Sequence, residues 1–142
     1  MLETIVRIKI TGESEASLPD SIDRKLEIVG TKRWLLGGLK GHLKGGPKGS
    51  SEVLYKNNGW ILDSGLPRSA GLEEHCLAIS TLIAKRETLL AEIAMEANVE
   101  LSCVIYATSE PALNFSSDFI MQLASGKIGL DIDLYIDPEF EE

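Results

Sequence analysis

The sequence predicts an α+β domain: a ferredoxin-like βαββαβ core, an added C-terminal helix and strand, and a mixed or antiparallel sheet with helices on one face. Several segments alternate apolar and polar residues with the period of two that is typical of half-buried strands. Others repeat apolar residues every three or four positions, as amphipathic helices do. The order strand, helix, hairpin, helix, strand matches the split βαβ arrangement. At 142 residues, the chain fits one domain over 1–142.

The first two elements are a strand and a short helix. Over residues 4–11, apolar Val6, Ile8 and Ile10 alternate with a second set that contains Arg7 and Lys9. The pattern predicts a strand with one apolar face and one basic face. In the next segment we expect Ser17 to cap a helix with Pro19 in its first turn, and Gly30 to end it.

Residues 36–50, LGGLKGHLKGGPKGS, predict a flexible Gly/Lys-rich loop, because so many glycines disfavour regular structure. A hairpin is predicted over 51–64. Asn58-Gly59 is the pair that a two-residue hairpin turn favours, and residues able to form strands lie on both sides of it.

The second half of the chain predicts the remaining elements. Apolar spacing over 69–98 predicts one long helix or two nearly collinear ones. A strand follows over 99–106, and then a helix that begins at a serine at 116 or 117 and ends at a left-handed Gly126. In the last strand we expect one set of residues to face the core and the other to form an acidic face: Leu130, Ile132, Leu134 and Ile136 against Asp131, Asp133, Tyr135 and Asp137.

Composition and charge narrow the classes of function. The hydrophobic fraction of 44% is that of a globular protein, and no apolar run is long enough to span a bilayer. The N-terminus lacks the apolar core of a signal peptide, so we expect a cytoplasmic protein with no membrane partner, in which Cys76 and Cys103 stay buried thiols.

The net charge of -8 is unevenly distributed along the chain. Residues 31–56 are mainly basic, whereas residues 69–142 carry fourteen acids against Lys85, Arg86 and Lys127. Nucleic acid is an unfavourable partner for an acidic domain, because phosphate affinity comes from Lys and Arg. A basic protein is the favoured partner, since the acidic field attracts it.

Ordered motifs over 57–137 resemble a bacterial family, the domain of unknown function 4279. They are a tryptophan strand of the type W-x-L-x-S (60–64), a helix that opens LEEH (72–75), a strand VELSCVIY (99–106) and a final LDIDLY (130–135). Residues 30–50 depart from the family pattern. No activity is attached to the family, and the resemblance implies at most a role as an immunity protein encoded beside a bacterial toxin.

Two clusters suggest binding chemistry. Lys40, Lys44 and Lys48 in the glycine-rich loop form an alternative phosphate- or nucleic-acid-binding set, although the loop lacks the P-loop order and Pro47 removes a backbone donor. Asp131 and Asp133 lie about 7 Å apart on one strand face. We expect them to be a solvated polar face complemented by the basic face of the first strand, with no metal bound.

No recognised catalytic motif occurs, so we expect no catalytic residue, no cofactor and no enzyme activity. His75 and Cys76 are adjacent on a helix and point about 100° apart, which disfavours a shared zinc ion. We expect His75 to help the helix begin or to lie partly exposed.

The outward sheet face is the leading candidate for a binding surface, because tyrosines among charges are common at protein interfaces. Its candidate partner-binding residues are Arg7, Lys9, Tyr106, Asp131, Asp133 and Tyr135. The sequence therefore predicts a non-enzymatic protein-binding module, in its specific form an immunity protein that neutralises a basic toxin. Oligomeric state does not follow from the sequence.

Overall fold

A computed structural model describes residues 2–46 and 49–140, of which 40–46 and 49–52 are described by their backbone alone. The described residues form seven strands and four α-helices. In chain order these are β1 (Leu2–Gly12), α1 (Pro19–Leu26), β2 (Lys32–Trp34), β3 (Leu39–Gly46), β4 (Gly49–Leu54), β5 (Asn58–Asp63), α2 (Leu72–Ile83), α3 (Glu87–Ala94), β6 (Asn98–Ala107), α4 (Ser117–Ser125) and β7 (Gly129–Ile136).

The main sheet has five strands in the order β2-β5-β1-β6-β7. Strand β1 is central and pairs antiparallel with β5 and with β6, and β2 pairs antiparallel with β5. Strand β7 lies parallel to β6 at one edge, as expected when a helix connects two neighbouring strands. The predicted α+β class and mixed sheet are confirmed.

One face of this sheet, called the inner face, packs against the helices. Alternate residues of β1 (Val6, Ile8 and Ile10) are almost fully buried and belong to one apolar cluster with residues from all four helices. Strand β5 adds Trp60 and Leu62 to this cluster. The opposite residues of β1, among them Arg7 and Lys9, are only half-buried and lie outside the cluster. We call this second side the outer face.

The predicted hairpin over 51–64, with its turn at Asn58-Gly59, is wrong: both residues lie inside β5, and β5 pairs with β1 and β2, whereas β4 pairs with β3. Asn58 pairs with Gly12, and Gly59 pairs with Thr11 and Trp34. The backbone of Gly59 has no positive φ, so it does not use the freedom that a turn needs. Instead the Trp34 ring covers Gly59, where a Cβ atom would lie 1.9 Å from the ring. Position 59 therefore requires glycine because the Trp34 ring packs against its backbone, and not because the chain turns there.

The glycine-rich segment also differs from the prediction. Regular structure was not expected over 36–50, yet β3 and β4 pair there as a separate antiparallel sheet, with register shifts at two places. Glycine keeps both backbone hydrogen-bonding groups, and these suffice to pair two strands. The flexibility of the segment stays a prediction, and Pro47 and Lys48 lie outside the described residues.

The predicted helices form, but some of their ends differ. Ser17 does not cap α1: it lies in a 3-10 turn, fully buried, and its Oγ donates to the Ser14 carbonyl at 2.6 Å. Glu27, with φ 55°, ends α1 instead of Gly30.

Ser116 caps α4 as predicted and accepts from the Phe119 N–H at 3.1 Å. The left-handed residue after α4 is Lys127, whereas Gly126 has φ -85°.

The segment 69–98 forms two helices, α2 and α3, which is one of the two predicted arrangements. Lys85 has φ 69° in the break between them. Arg86 bridges the break to α1, because its Nε donates to the Leu26 carbonyl at 2.7 Å. No helix among the described residues is long and apolar enough to cross a bilayer.

Strand β7 is less buried than predicted. Leu130, Leu134 and Ile136 were expected to face the core, but their exposed fractions are 47%, 40% and 43%. Only Ile132 packs against the buried cluster. A perfect alternation of apolar and polar residues predicts a strand correctly, but it does not reveal that the strand lies at the edge of the sheet.

Candidate functional site

The outer face brings together all six predicted partner-binding residues. Arg7 and Lys9 lie on β1 and Tyr106 on β6; Asp131, Asp133 and Tyr135 lie on β7. Their positions follow from strand alternation and register, because Ser102 pairs with both Arg7 and Asp131, and Tyr106 pairs with Tyr135.

Charges on the outer face are separated by strand. Lys9 pairs directly with Glu100 of β6, but Arg7 pairs with Ser102, which stands between Arg7 and Asp131. The predicted direct complement between the first and last strands is therefore wrong, because β6 keeps their Cα atoms about 10 Å apart at the usual strand spacing. Asp131 and Asp133 are both exposed, so the β7 edge of the outer face is acidic and the centre is basic.

Aromatic rings meet at one end of the outer face. Tyr106 and Tyr135 stack with centroids 5.2 Å apart and planes at 16°. The Phe140 ring meets Tyr106 edge-on at 6.3 Å. Tyr135 is 50% exposed, so this cluster offers a partner a rigid apolar surface beside the acidic edge. Phe140 was missed because it follows the last strand, where periodicity gives no signal.

The alternative lysine set does not lie in the main sheet. Lys40 and Lys44 lie on β3, which pairs with β4 in the separate two-stranded sheet, and Lys48 lies outside the described residues. Lys40 and Lys44 thus belong to a different sheet from Arg7 and Lys9.

Of the two predicted alternatives for His75, partial exposure is wrong, since the residue is only 1% exposed. Its Nδ1 lies 2.6 Å from the Ser64 Oγ, so a residue of the tryptophan strand motif pairs with a residue of the LEEH motif. Burial lowers the pKa of His75, and the carbonyl groups of Pro67 and Ala70 and the charge of Glu74 offset only part of this effect. His75 is therefore neutral at pH 7.

The two cysteines are free and buried, which confirms their prediction as buried thiols. Burial raises the pKa of Cys76 to about 11 and that of Cys103 to about 12, so neither is a thiolate at neutral pH. Within the ranges that the structure describes, no group of three or more His, Cys, Asp or Glu side chains could hold a metal ion.

A cleft of about 690 Å³ lies between α2 and α4. Two of its polar side chains bond to each other, since the Ser80 Oγ donates to the Gln122 Oε1 at 2.6 Å. The Gln122 Nε2 also donates to Glu87, outside the cleft, at 3.2 Å. None of the predicted partner-binding residues lines this cleft. The cleft fits a packed helix interface, since Ser80 of α2 and Gln122 of α4 bond to each other across it.

The family model for the domain of unknown function DUF4279 matches residues 3–137, so the chain belongs to this family. The predicted resemblance is confirmed, and it extends over β1, α1 and β2, beyond the motifs that carried it. No curated protein matches the chain. No solved structure matches it either.

Proposed function

We propose that this member of the DUF4279 family is a non-enzymatic protein-binding module that docks a basic protein through its outer face. The observation that carries the proposal is the stacked pair Tyr106–Tyr135 beside the exposed Asp131 and Asp133, on a face away from the helical cluster. The specific form of the proposal is a cytoplasmic immunity protein that neutralises a basic bacterial toxin.

The aromatic pair supplies the energy of such an interface. A tyrosine buries a large area at little entropic cost, and a stacked ring has already lost most of its freedom before the partner arrives. Tyr106 is half-buried by its neighbours, so Tyr135 and Phe140 would present the contact surface together with it.

The acidic edge supplies selectivity. Carboxylates on exposed strand positions attract a basic protein at long range and repel an acidic one. Two of these charges, Asp131 and Asp133, lie on the same face of β7 and act on the same part of a partner.

We infer in addition that the antiparallel strands β2, β5, β1 and β6 form a ferredoxin-like unit to which α4 and β7 are added. The sheet order β2-β5-β1-β6 and the helices that follow β1 and β5 support this assignment. In such a unit one sheet face lies opposite the helices, which is where the proposed docking surface lies.

The test compares two tagged variants of equal net charge in the native host. Asp131→Lys with Asp133→Lys reverses the acidic edge, and Glu13→Lys with Glu15→Lys reverses two exposed acids in the connection between β1 and α1. We expect affinity capture to recover a basic protein with the wild type and with the Glu13/Glu15 variant, but not with the Asp131/Asp133 variant.

Equal recovery by both variants would contradict the proposal. The alternative, a phosphate or nucleic-acid binder, predicts instead a salt-sensitive nucleic-acid signal that disappears when Lys40, Lys44 and Lys48 are replaced by alanine.

A further inference from the structure

A cavity of about 380 Å³ opens where β5 ends beside β1. Strand β5 stops at Asp63, opposite Arg7, and the chain then runs along β1 as a loop held by two backbone bonds. The Ser64 N–H donates to the Val6 carbonyl at 3.1 Å, and the Thr4 N–H donates to the Arg68 carbonyl at 2.8 Å. Between these two bonds the loop leaves space at the edge of β1.

Two residues that line this cavity each carry a buried side-chain nitrogen without a hydrogen-bond partner. Arg7 Nε and His75 Nε2 are the only buried side-chain N or O atoms that lack a hydrogen-bond partner among the described residues. Both residues line the same cavity. Leaving a buried polar atom unpaired destabilises the folded protein, so two such atoms on residues of one cavity point to a ligand that pairs with both.

The contact with Ser64 bears on which ring nitrogen of His75 carries the hydrogen and can donate it to this ligand. The Ser64 Oγ accepts from the Leu66 N–H at 3.3 Å and lies 2.6 Å from the His75 Nδ1. When the Ser64 hydroxyl donates to Nδ1, the hydrogen of the neutral imidazole is on Nε2. Nε2 is then a buried donor, like Arg7 Nε, and neither has an acceptor with hydrogen-bond geometry in the described part of the chain.

Charges around the cavity favour a negative acceptor. Arg7 forms no ion pair with any described acid, and Arg68 has only a long pair with Glu3 at 3.9 Å between exposed side chains. Asp63 also lines the cavity and opposes an anion, but the two arginines outnumber it. A ligand with acceptor oxygens and a negative charge satisfies both unpaired donors.

We propose that this cavity binds a small oxyanion, a phosphate or carboxylate group, between Arg7 Nε and His75 Nε2. The Ser64 hydroxyl fixes the tautomer of His75 and thereby orients the donor, and Arg68 at the mouth adds positive charge. The site shares Arg7 with the outer face but none of the aromatic cluster, and its test needs no protein partner.

The test is a titration of the ¹⁵N-labelled full chain with inorganic phosphate and, separately, with acetate, with sodium chloride as the control for ionic strength. We expect saturable shifts of the Arg7 Nε and His75 Nε2 resonances with phosphate or acetate, with a Kd on the order of 1 mM. The imidazole nitrogen shifts also report the tautomer, which should carry its hydrogen on Nε2.

Arg7→Gln should weaken this binding by about tenfold, because a charge-assisted donor is lost. Arg24→Gln is the matched control, since Arg24 is an exposed residue of α1 and the charge change is the same. Phosphate-only or acetate-only shifts would each support the site and identify the group. Shifts equal to those in chloride, or equal binding by both variants, would overturn the proposal.

Discussion

At the residue scale, Asp23 of α1 joins three parts of the chain. Its Oδ1 accepts from the Trp60 Nε1 at 2.7 Å and from the Gly30 N–H at 3.0 Å, while its Oδ2 pairs with Arg33. Gly30 itself lies against the Trp60 ring, where a Cβ atom would come within 2.4 Å. A single carboxylate therefore holds the buried tryptophan, the chain after α1 and strand β2.

The ionisation of Asp23 is linked to folding. Burial by itself raises the pKa of Asp23, but hydrogen bonds from Trp60 and Gly30 and the charge of Arg33 reverse this and lower the pKa below 3.8. A carboxyl with a lowered pKa in the folded state stabilises the protein above its unfolded pKa. This contribution is lost as the pH falls through the lower folded value.

Asp23→Asn should therefore lower the free energy of unfolding by about 1–2 kcal/mol at pH 7, since the amide keeps an acceptor but loses the charge. The difference from wild type should shrink as the pH falls below 4, as urea denaturation at pH 7 and pH 3 would show. Asp20→Asn is the control, because Asp20 is 88% exposed and also pairs with Arg33. An equal loss in the control would refute the role of Asp23.

At the element scale, strand β5 shows how packing overrides local sequence preference. Asn58-Gly59 has the chemistry of a tight turn, yet the Asn58 side chain accepts from the Leu36 N–H at 2.8 Å and donates to the Ser17 Oγ at 3.2 Å. The Trp34 ring over Gly59 stacks on Tyr55 with centroids 5.2 Å apart. These contacts come from segments distant in sequence, so no local sequence pattern predicted them.

Gly59→Ala should lower the free energy of unfolding by about 1–3 kcal/mol, because the added methyl group displaces the Trp34 ring from its stack. Gly129→Ala at the start of β7 is the matched control: its nearest neighbour would lie at an ordinary 3.7 Å, and we expect a change within about 0.5 kcal/mol. Thermal melts of both variants decide the matter. If Gly59→Ala leaves the free energy of unfolding unchanged, the Trp34 ring does not rest on this residue.

At the scale of the whole molecule, periodicity predicted most of the elements and the placement of the outer-face residues. It predicted β1, α4 and β7 because each has a clear apolar repeat. It missed β2, which has three residues, and it could not distinguish the central strand β1 from the edge strand β7. The unpaired atoms of Arg7 and His75 depend on how β1 meets a distant loop, which sequence spacing does not report.

Hydroxyl-radical footprinting of the complex with the captured partner tests the docking surface most directly. We expect Tyr106, Tyr135 and Phe140 on the outer face to lose reactivity on binding, while Leu77 of α2 and Met121 of α4, both exposed on the helices, keep theirs. Protection of Leu77 and Met121 with unchanged reactivity of the outer-face aromatic residues would contradict this expectation.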